Sequence, residues 1–365
     1  MSEASVNDTV TLPNVPFHNE SFLNATFHWS ATAIFDTVNF CTGLLGNGFL
    51  LVLLLTNRQI RTPFNIYILG LILANLLNIT GMPLHILDAL TGGTLTATNE
   101  SICSYYMYLD WVESSVIYCQ HVLIAVTRMW AVIRPISYRN RHSQQLARSL
   151  CVGVWVCVHA CMLPFWALDA LYYRRTITDN GFVCIMNGRA QFTYSVVAQV
   201  IFYLLPIFVQ VMVFPVVYFT KNARTMTRAA VVPNETVAQG ADLLQKQLGI
   251  VPSKHEGTSQ TPSREVIPHP IPKGAPRVAR SNSSGLAFLG ILSLCALMNW
   301  APIILCYFVF TVNPDFTMPK RVWEVFTTLS SVQTSIDPII FLLSLGNLRD
   351  VAVGLARQVI GFFQA

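Results

Sequence analysis

Seven apolar stretches, each near the roughly 20 residues that a helix needs to cross a hydrocarbon core, constrain this chain more than any motif does. They fall at about residues 31–55, 64–88, 102–132, 147–168, 191–219, 285–311 and 320–343. In lipid every backbone N–H and C=O must be satisfied inside the segment, so stretches of this length fold as helices. Only 11% of the residues are charged, against about 25% in an average soluble domain, which excludes an ordinary soluble globule. The expected fold class is an all-α membrane protein, a seven-transmembrane helix bundle. No internal repeat and no second hydrophobic core appear. The chain therefore divides into an N-terminus (1–30), one membrane domain (31–345) and a tail (346–365).

Basic residues set the orientation. With the N-terminus outside, the inner segments hold 2, 5, 9 and 2 Lys and Arg, and the outer segments 0, 0, 3 and 2. That bias follows the positive-inside rule. The net charge of +5 thus reports topology and attraction to anionic inner-leaflet lipid, with no nucleic acid as partner. Glycosylation sequons agree: Asn7, Asn19 and Asn24 lie in the N-terminus and Asn99 in the first outer loop, while matches at Asn78, Asn234 and Asn282 fall in a span or inside. The first span serves as the membrane signal, and the expected location is the plasma membrane.

Residues 222–284 are rich in Pro, Ser, Thr, Gln and basic residues and bury too little apolar surface to fold alone, so they read as a disordered inner loop. Its Ser253, Ser281 and neighbours offer phosphorylation sites, as any such loop would. Beyond span seven, Leu345, Leu348, Val353, Leu355, Val359 and Ile360 alternate with Arg349 and Arg357, the pattern of a short amphipathic helix on the inner membrane surface. Of nine cysteines, only Cys103 and Cys184 lie in the oxidising outer region. Two cysteines allow one pairing, the alternative being two free thiols. No CxxC or HxxxH spacing supports a metal centre.

Three acids lie at membrane depth: Asp110, Glu113 and Asp337, with no Lys or Arg level with them. A charge there costs roughly 2.5–3.5 kcal/mol on insertion scales and marks functional positions. Such carboxylates must protonate, find donors or bind a cation. Asp110, with Ser114 one turn below, is a candidate for holding a cationic ligand; the competing reading is an acid hydrogen-bonded to a neighbouring helix. Asn75 and Asp337, with Glu113 beside them, form a lower polar cluster. It could coordinate a sodium ion through oxygens, or simply hold spans two and seven together.

The motifs together resemble the rhodopsin-like, or class A, G-protein-coupled receptors. The likeness runs from residue 31 to about 362, the inner loop excepted. It rests on Gly46-Asn47, Leu73-Ala74-Asn75, Cys103 with Arg128, Trp155 with Pro164, Pro206, Trp300-Ala301-Pro302 and Asp337-Pro338-Ile339-Ile340-Phe341, in order along the seven spans. The resemblance implies a receptor, with no enzyme activity, that passes binding of an extracellular amine or peptide ligand to a heterotrimeric G protein. It implies ligand contacts at Asp110, Ser114, Trp300, Tyr307 and Trp323, coupling through Arg128, and span six swinging about Pro302. No cofactor is implied beyond the allosteric sodium.

Departures qualify this. Asp and Asn are exchanged between spans two and seven, leaving Asn75 and Asp337. Thr127 stands where the family has an acid that pairs with the arginine, and Asn282 stands near the usual acidic partner of span six, so both restraints on Arg128 are weakened. Phe214 and Phe341 replace two tyrosines of the active state. Ile303, Ile304 and Ser331 replace aromatics that usually cage an ammonium, so Asp110 is expected to lack that cage. Ser331 also stands where the light-sensing branch has its retinal lysine, which sets that branch aside. The second outer loop, with Arg174, Arg175 and Asn180-Gly181, reads as a hairpin suited to a peptide or as a simple lid. Two rivals remain: a receptor-like protein that has lost coupling, and a secondary transporter, which would show the repeats or paired broken helices absent here.

Overall fold

In lipid, burying apolar surface gains little, because the tails are as apolar as leucine; the interior is instead where polar groups find partners. The chain is sorted accordingly. Leu45, Leu171, Val156 and Phe219 point outward and are exposed, whereas Asn47, Asn75, Glu113, Gln120, His121, Asp169 and Asp337 are fully buried. A computed structural model describes residues 29–90, 99–174, 184, 186–224, 226, 287–313, 316 and 318–364. Asn7, Asn19, Asn24, most of the expected second-loop hairpin and residues 227–284 of the expected inner loop lie outside the described residues.

Seven helices long and apolar enough to cross a membrane are present: α1 (Ala31–Thr56), α2 (Pro63–Leu87), α3 (Glu100–Ile133), α4 (Gln144–Tyr173), α5 (Phe192–Arg224), α6 (Ala287–Val312) and α7, whose helix runs Lys320–Ser344. α8 (Gly346–Gln364) turns away at Leu345 and sinks Leu348 into the core. Among the described residues no strand occurs. The expected spans match in number and order. α3, α4 and α5 run further than expected, because a hydropathy reading stops where polar residues begin, while helical hydrogen bonding continues into the interface. Side-chain caps fix the starts: Ser30 accepts from the N–H of Ala33, Thr62 from Asn65, Asn99 from Ser101 and Ile102, and Ser143 from Leu146.

Two glycines permit close approaches. At Gly46 an added Cβ would meet the Pro338 ring at 3.0 Å, so α1 lies directly against the kink of α7. At Gly81 it would meet Leu109 at 2.6 Å, where the turn in α2 crowds α3.

Among the described residues, four wide π turns interrupt the helices, at Tyr108–Glu113, Asp169–Tyr173, Val200–Leu204 and Ala296–Trp300. Such turns often accompany functional sites. The last has a covalent cause. Pro302 has no N–H and its ring crowds the carbonyl four residues back, and just before it the N–H of Ala301 bonds to Ala296. α6 therefore carries both a missing hydrogen bond and a shifted register at one level, which is where a helix bends most cheaply.

Candidate functional site

Asp110 and Glu113 sit on the π turn of α3, and its geometry decides what each can do. In a regular helix residues three apart lie about 60° apart around the axis. The wider turn separates them further. Asp110 faces α6, where the Tyr307 hydroxyl donates to its Oδ2 at a long 3.4 Å, its sole hydrogen bond among the described residues. Glu113 is buried toward α4: its Oε1 accepts from the Tyr108 hydroxyl and meets Nε2 of His159 at 3.1 Å. The His159 ring is fixed through Nδ1 to the Trp155 carbonyl at 2.9 Å. The expectation that Glu113 joins Asn75 and Asp337 is thus corrected. It makes no hydrogen bond to either, because the π turn aims it at a different helix.

Ser114, expected beside Asp110, donates to the Leu109 carbonyl at 3.3 Å and so belongs to the π turn itself. Tyr307 touches Trp323 edge-on at 5.0 Å and Trp111 at 5.6 Å. Trp111 in turn meets Tyr203 at 5.8 Å, Tyr203 meets Tyr118 at 5.5 Å, and Tyr118 meets Trp300 at 4.6 Å. Asp110 is therefore bonded to a run of edge-to-face aromatics that descends from the outer end of α7 to the π turn of α6. Ile303, Ile304 and Ser331 supply no ring, as expected, and of these aromatics Tyr307 is the one bonded to Asp110; Trp111, Tyr118 and Tyr203, on α3 and α5, extend the run. A hollow of about 560 Å³ between Tyr105, Tyr108 and Trp166 opens on the α3–α4 side and does not include Asp110.

Below Trp300 lies the second acid. Asp337 is fully buried: its Oδ1 accepts from Gln333 Nε2 at 2.6 Å, and its Oδ2 accepts from Asn75 Nδ2 and meets His121 Nε2, each at 3.0 Å. The network continues outward. Asn75 donates to Asn47 at 3.2 Å, Asn47 to the Thr334 carbonyl at 2.8 Å, and Asn299 of α6 to Gln333 at 2.8 Å. Side chains of α2, α3 and α7 meet on one carboxylate, and α1 and α6 join through Asn47 and Asn299. The edge of His121 also lies 4.8 Å from the Trp300 ring. His121 and His159 lie at membrane depth within the expected spans, and a search for Lys and Arg does not include them. Gln333, four residues before Asp337 and so on the same helical face, was legible too.

Sodium is a hard cation that asks for several oxygen ligands. The carboxylate oxygens here face three N–H donors, and of the surrounding amide oxygens Asn75 Oδ1 is left unpartnered. This donor set does not fit the ion.

At the inner end, Arg128 has no carboxylate within ion-pair distance among the described residues. Its guanidinium lies over the Phe64 ring at 3.2 Å from the centroid and 5.7 Å from that of Phe288 on α6. Thr127 bonds back to the Leu123 and Ile124 carbonyls instead. A cavity of about 250 Å³ between α2, α3, α6, α7 and α8 is lined by Phe64, Arg128, Phe288 and Leu348. Beside it His142 meets the Tyr67 hydroxyl at 3.0 Å; burial, then the nearby Arg128 charge, hold its pKa below the usual histidine value.

At the outer end Cys103 and Cys184 form the expected disulfide, with Cα atoms 5.6 Å apart. Arg174, expected to be offered to a peptide, is committed elsewhere. It pairs with buried Asp169 at 2.7 Å and donates to Ser104 at 2.9 Å, tying the end of α4 to the disulfide. Asn99 caps α3 through its side-chain oxygen, which accepts from the N–H groups of Ser101 and Ile102.

A family model described as "7 transmembrane receptor (rhodopsin family)" matches residues 46–341. A 5-hydroxytryptamine receptor 1B of Mus musculus is 22% identical over 322 residues, covering 82% of this chain and 80% of that one. A probable G-protein coupled receptor, No18, of Amphibalanus amphitrite is 21% identical over 368 residues, with 94% and 93% covered. Cysteinyl leukotriene receptor 1 of Homo sapiens is 28% identical over a local match of 126 residues, 34% of this chain and 36% of that receptor.

Proposed function

The chain belongs to the rhodopsin family of seven-transmembrane receptors, and from that premise we propose that it transmits binding of an extracellular cationic ligand to a heterotrimeric G protein across the plasma membrane. The observation that carries the reading is Asp110, an acid at membrane depth held by one 3.4 Å hydrogen bond while Asp337, on a neighbouring helix, has three donors. A carboxylate that leaves lone pairs open toward α6 and α7 suits an ammonium or guanidinium, whose attraction is strengthened in a low-dielectric site.

The ligand would displace the Tyr307 hydroxyl and pack against the Trp111, Tyr307 and Trp323 faces. Movement of Tyr307 and Trp300 then bends α6 at the π turn before Pro302, opening the inner cavity beside Arg128, in the manner of a population shift between two packings. The N-terminus, with Asn7, Asn19, Asn24 and Asn99 as glycan sites, faces outward in this reading. The full-length relatives named as 5-hydroxytryptamine receptors favour an amine over a peptide, as does the commitment of Arg174 to Asp169. The test is nucleotide exchange on G proteins in membranes from expressing cells, challenged with pooled amines and with pooled peptides. Stimulation by an amine pool is the expected result. With a pool of uncharged lipids as a third arm, stimulation by that pool alone would overturn the cationic assignment.

A further inference from the structure

We propose that His121 occupies the place an ion would take beside Asp337, so that the α3–α7 link is made by a side chain of this protein and is insensitive to sodium. The inference rests on the receptor reading only for its signalling consequence. Its structural core stands on four observations. His121 and Asp337 are both fully buried, with Nε2 3.0 Å from Oδ2. A carboxylate only accepts, so the tautomer that completes this contact has its hydrogen on Nε2, aimed where a cation would have to approach. Asn75 and Gln333 aim two more hydrogens at the same group. Each such N–H presents positive charge toward the carboxylate, and together they occupy three of its roughly four lone-pair sites.

The ring does more than fill space. Its contact with Trp300 joins the carboxylate of α7 to the side chain that flanks the bend of α6. A bound ion would leave when the cluster rearranged and would make signalling depend on sodium. A histidine covalently fixed to α3 can only tilt, so Trp300 and Asp337 stay mechanically connected in every state. His121 is in this sense a positioning residue.

The test uses the full-length purified receptor in lipid nanodiscs. Its melting temperature is followed while sodium chloride replaces choline chloride at constant ionic strength. The wild type should show no sodium-specific shift. His121→Leu removes the donor, and His121→Ser removes it while adding an oxygen. At least one of them should acquire a saturable sodium-specific rise of roughly 3 °C, the size expected from an ion held near ten times its dissociation constant. A saturable rise in the wild type overturns the proposal, and so does the lack of any sodium effect in both variants. Basal nucleotide exchange in the same variants should become sodium-dependent. If no form of the protein drives exchange, the receptor reading fails while the melting result still decides the role of His121.

Discussion

Asp110 and Asp337 are the same chemical group at similar cost in a membrane, and the protein treats them in opposite ways. Asp337 is fully buried and accepts three hydrogen bonds from α2, α3 and α7, with α1 and α6 joined through Asn47 and Asn299. Asp110, on a π turn, keeps a single long bond to Tyr307. A fully satisfied acid fixes helices to one another. An under-satisfied one stores an unmet demand for positive charge, and a guest can meet it. The difference explains why one acid is a candidate for binding and the other for transmission. It also makes both assignments breakable by substitution.

The largest effect should come from removing the satisfied acid. Asp337→Ala strands three buried donors and should destabilise the protein by about 3–5 kcal/mol, read as a fall in melting temperature or surface expression. Asp337→Asn, which keeps the volume and one acceptor, should cost less. Asp110→Asn should leave the melting temperature close to wild type, within about 0.5 kcal/mol. Equal losses at the two positions would erase the contrast.

The inner end offers the next test. Arg128 rests on the Phe64 ring with no carboxylate partner among the described residues, and a desolvated cation–π contact is worth roughly 2 kcal/mol. Phe64→Leu should therefore raise basal nucleotide exchange by up to roughly thirtyfold, whereas Phe64→Tyr should not. A smaller effect is expected at Tyr307→Phe. Losing one long hydrogen bond, worth roughly 0.5 kcal/mol, should shift agonist potency by no more than about threefold and toward tighter binding. The smallest concerns pH outside the membrane. His142 has its folded pKa depressed by burial and by Arg128, so the folded state disfavours its protonation. Its contribution is present above the unfolded value of about 6.5 and fades as pH falls through the folded one. The melting temperature should decline slightly on acidification, and less so in His142→Gln.

Much of this was readable in the chain. Seven apolar stretches gave the bundle and its order, and the outer position of Cys103 and Cys184 gave their pairing, because both follow from length and compartment alone. The partners of the acids were less legible. His121 and His159 partner two of the acids, and a count of Lys and Arg at membrane depth does not include them. The π turn that parts Asp110 from Glu113 has no proline to announce it, unlike those near Pro302 and Pro206. A regular helix put both acids on nearly one face. The aromatic run from Trp323 to Trp300 was hidden for another reason: its rings come from α3, α5, α6 and α7, and no periodicity within one helix reveals contacts among four.

The account depends most on Asp110 receiving a positive ligand whose presence is felt at the inner face. Nucleotide exchange driven by wild type and by Asp110→Asn, matched for surface expression and challenged with the same pooled cationic amines, tests this directly. The expected result is stimulation of the wild type and a rightward shift of about 100-fold or more in the variant, the scale of a truncated buried charge contact. Superimposable dose responses, or no response from the wild type to any cationic pool, would contradict it.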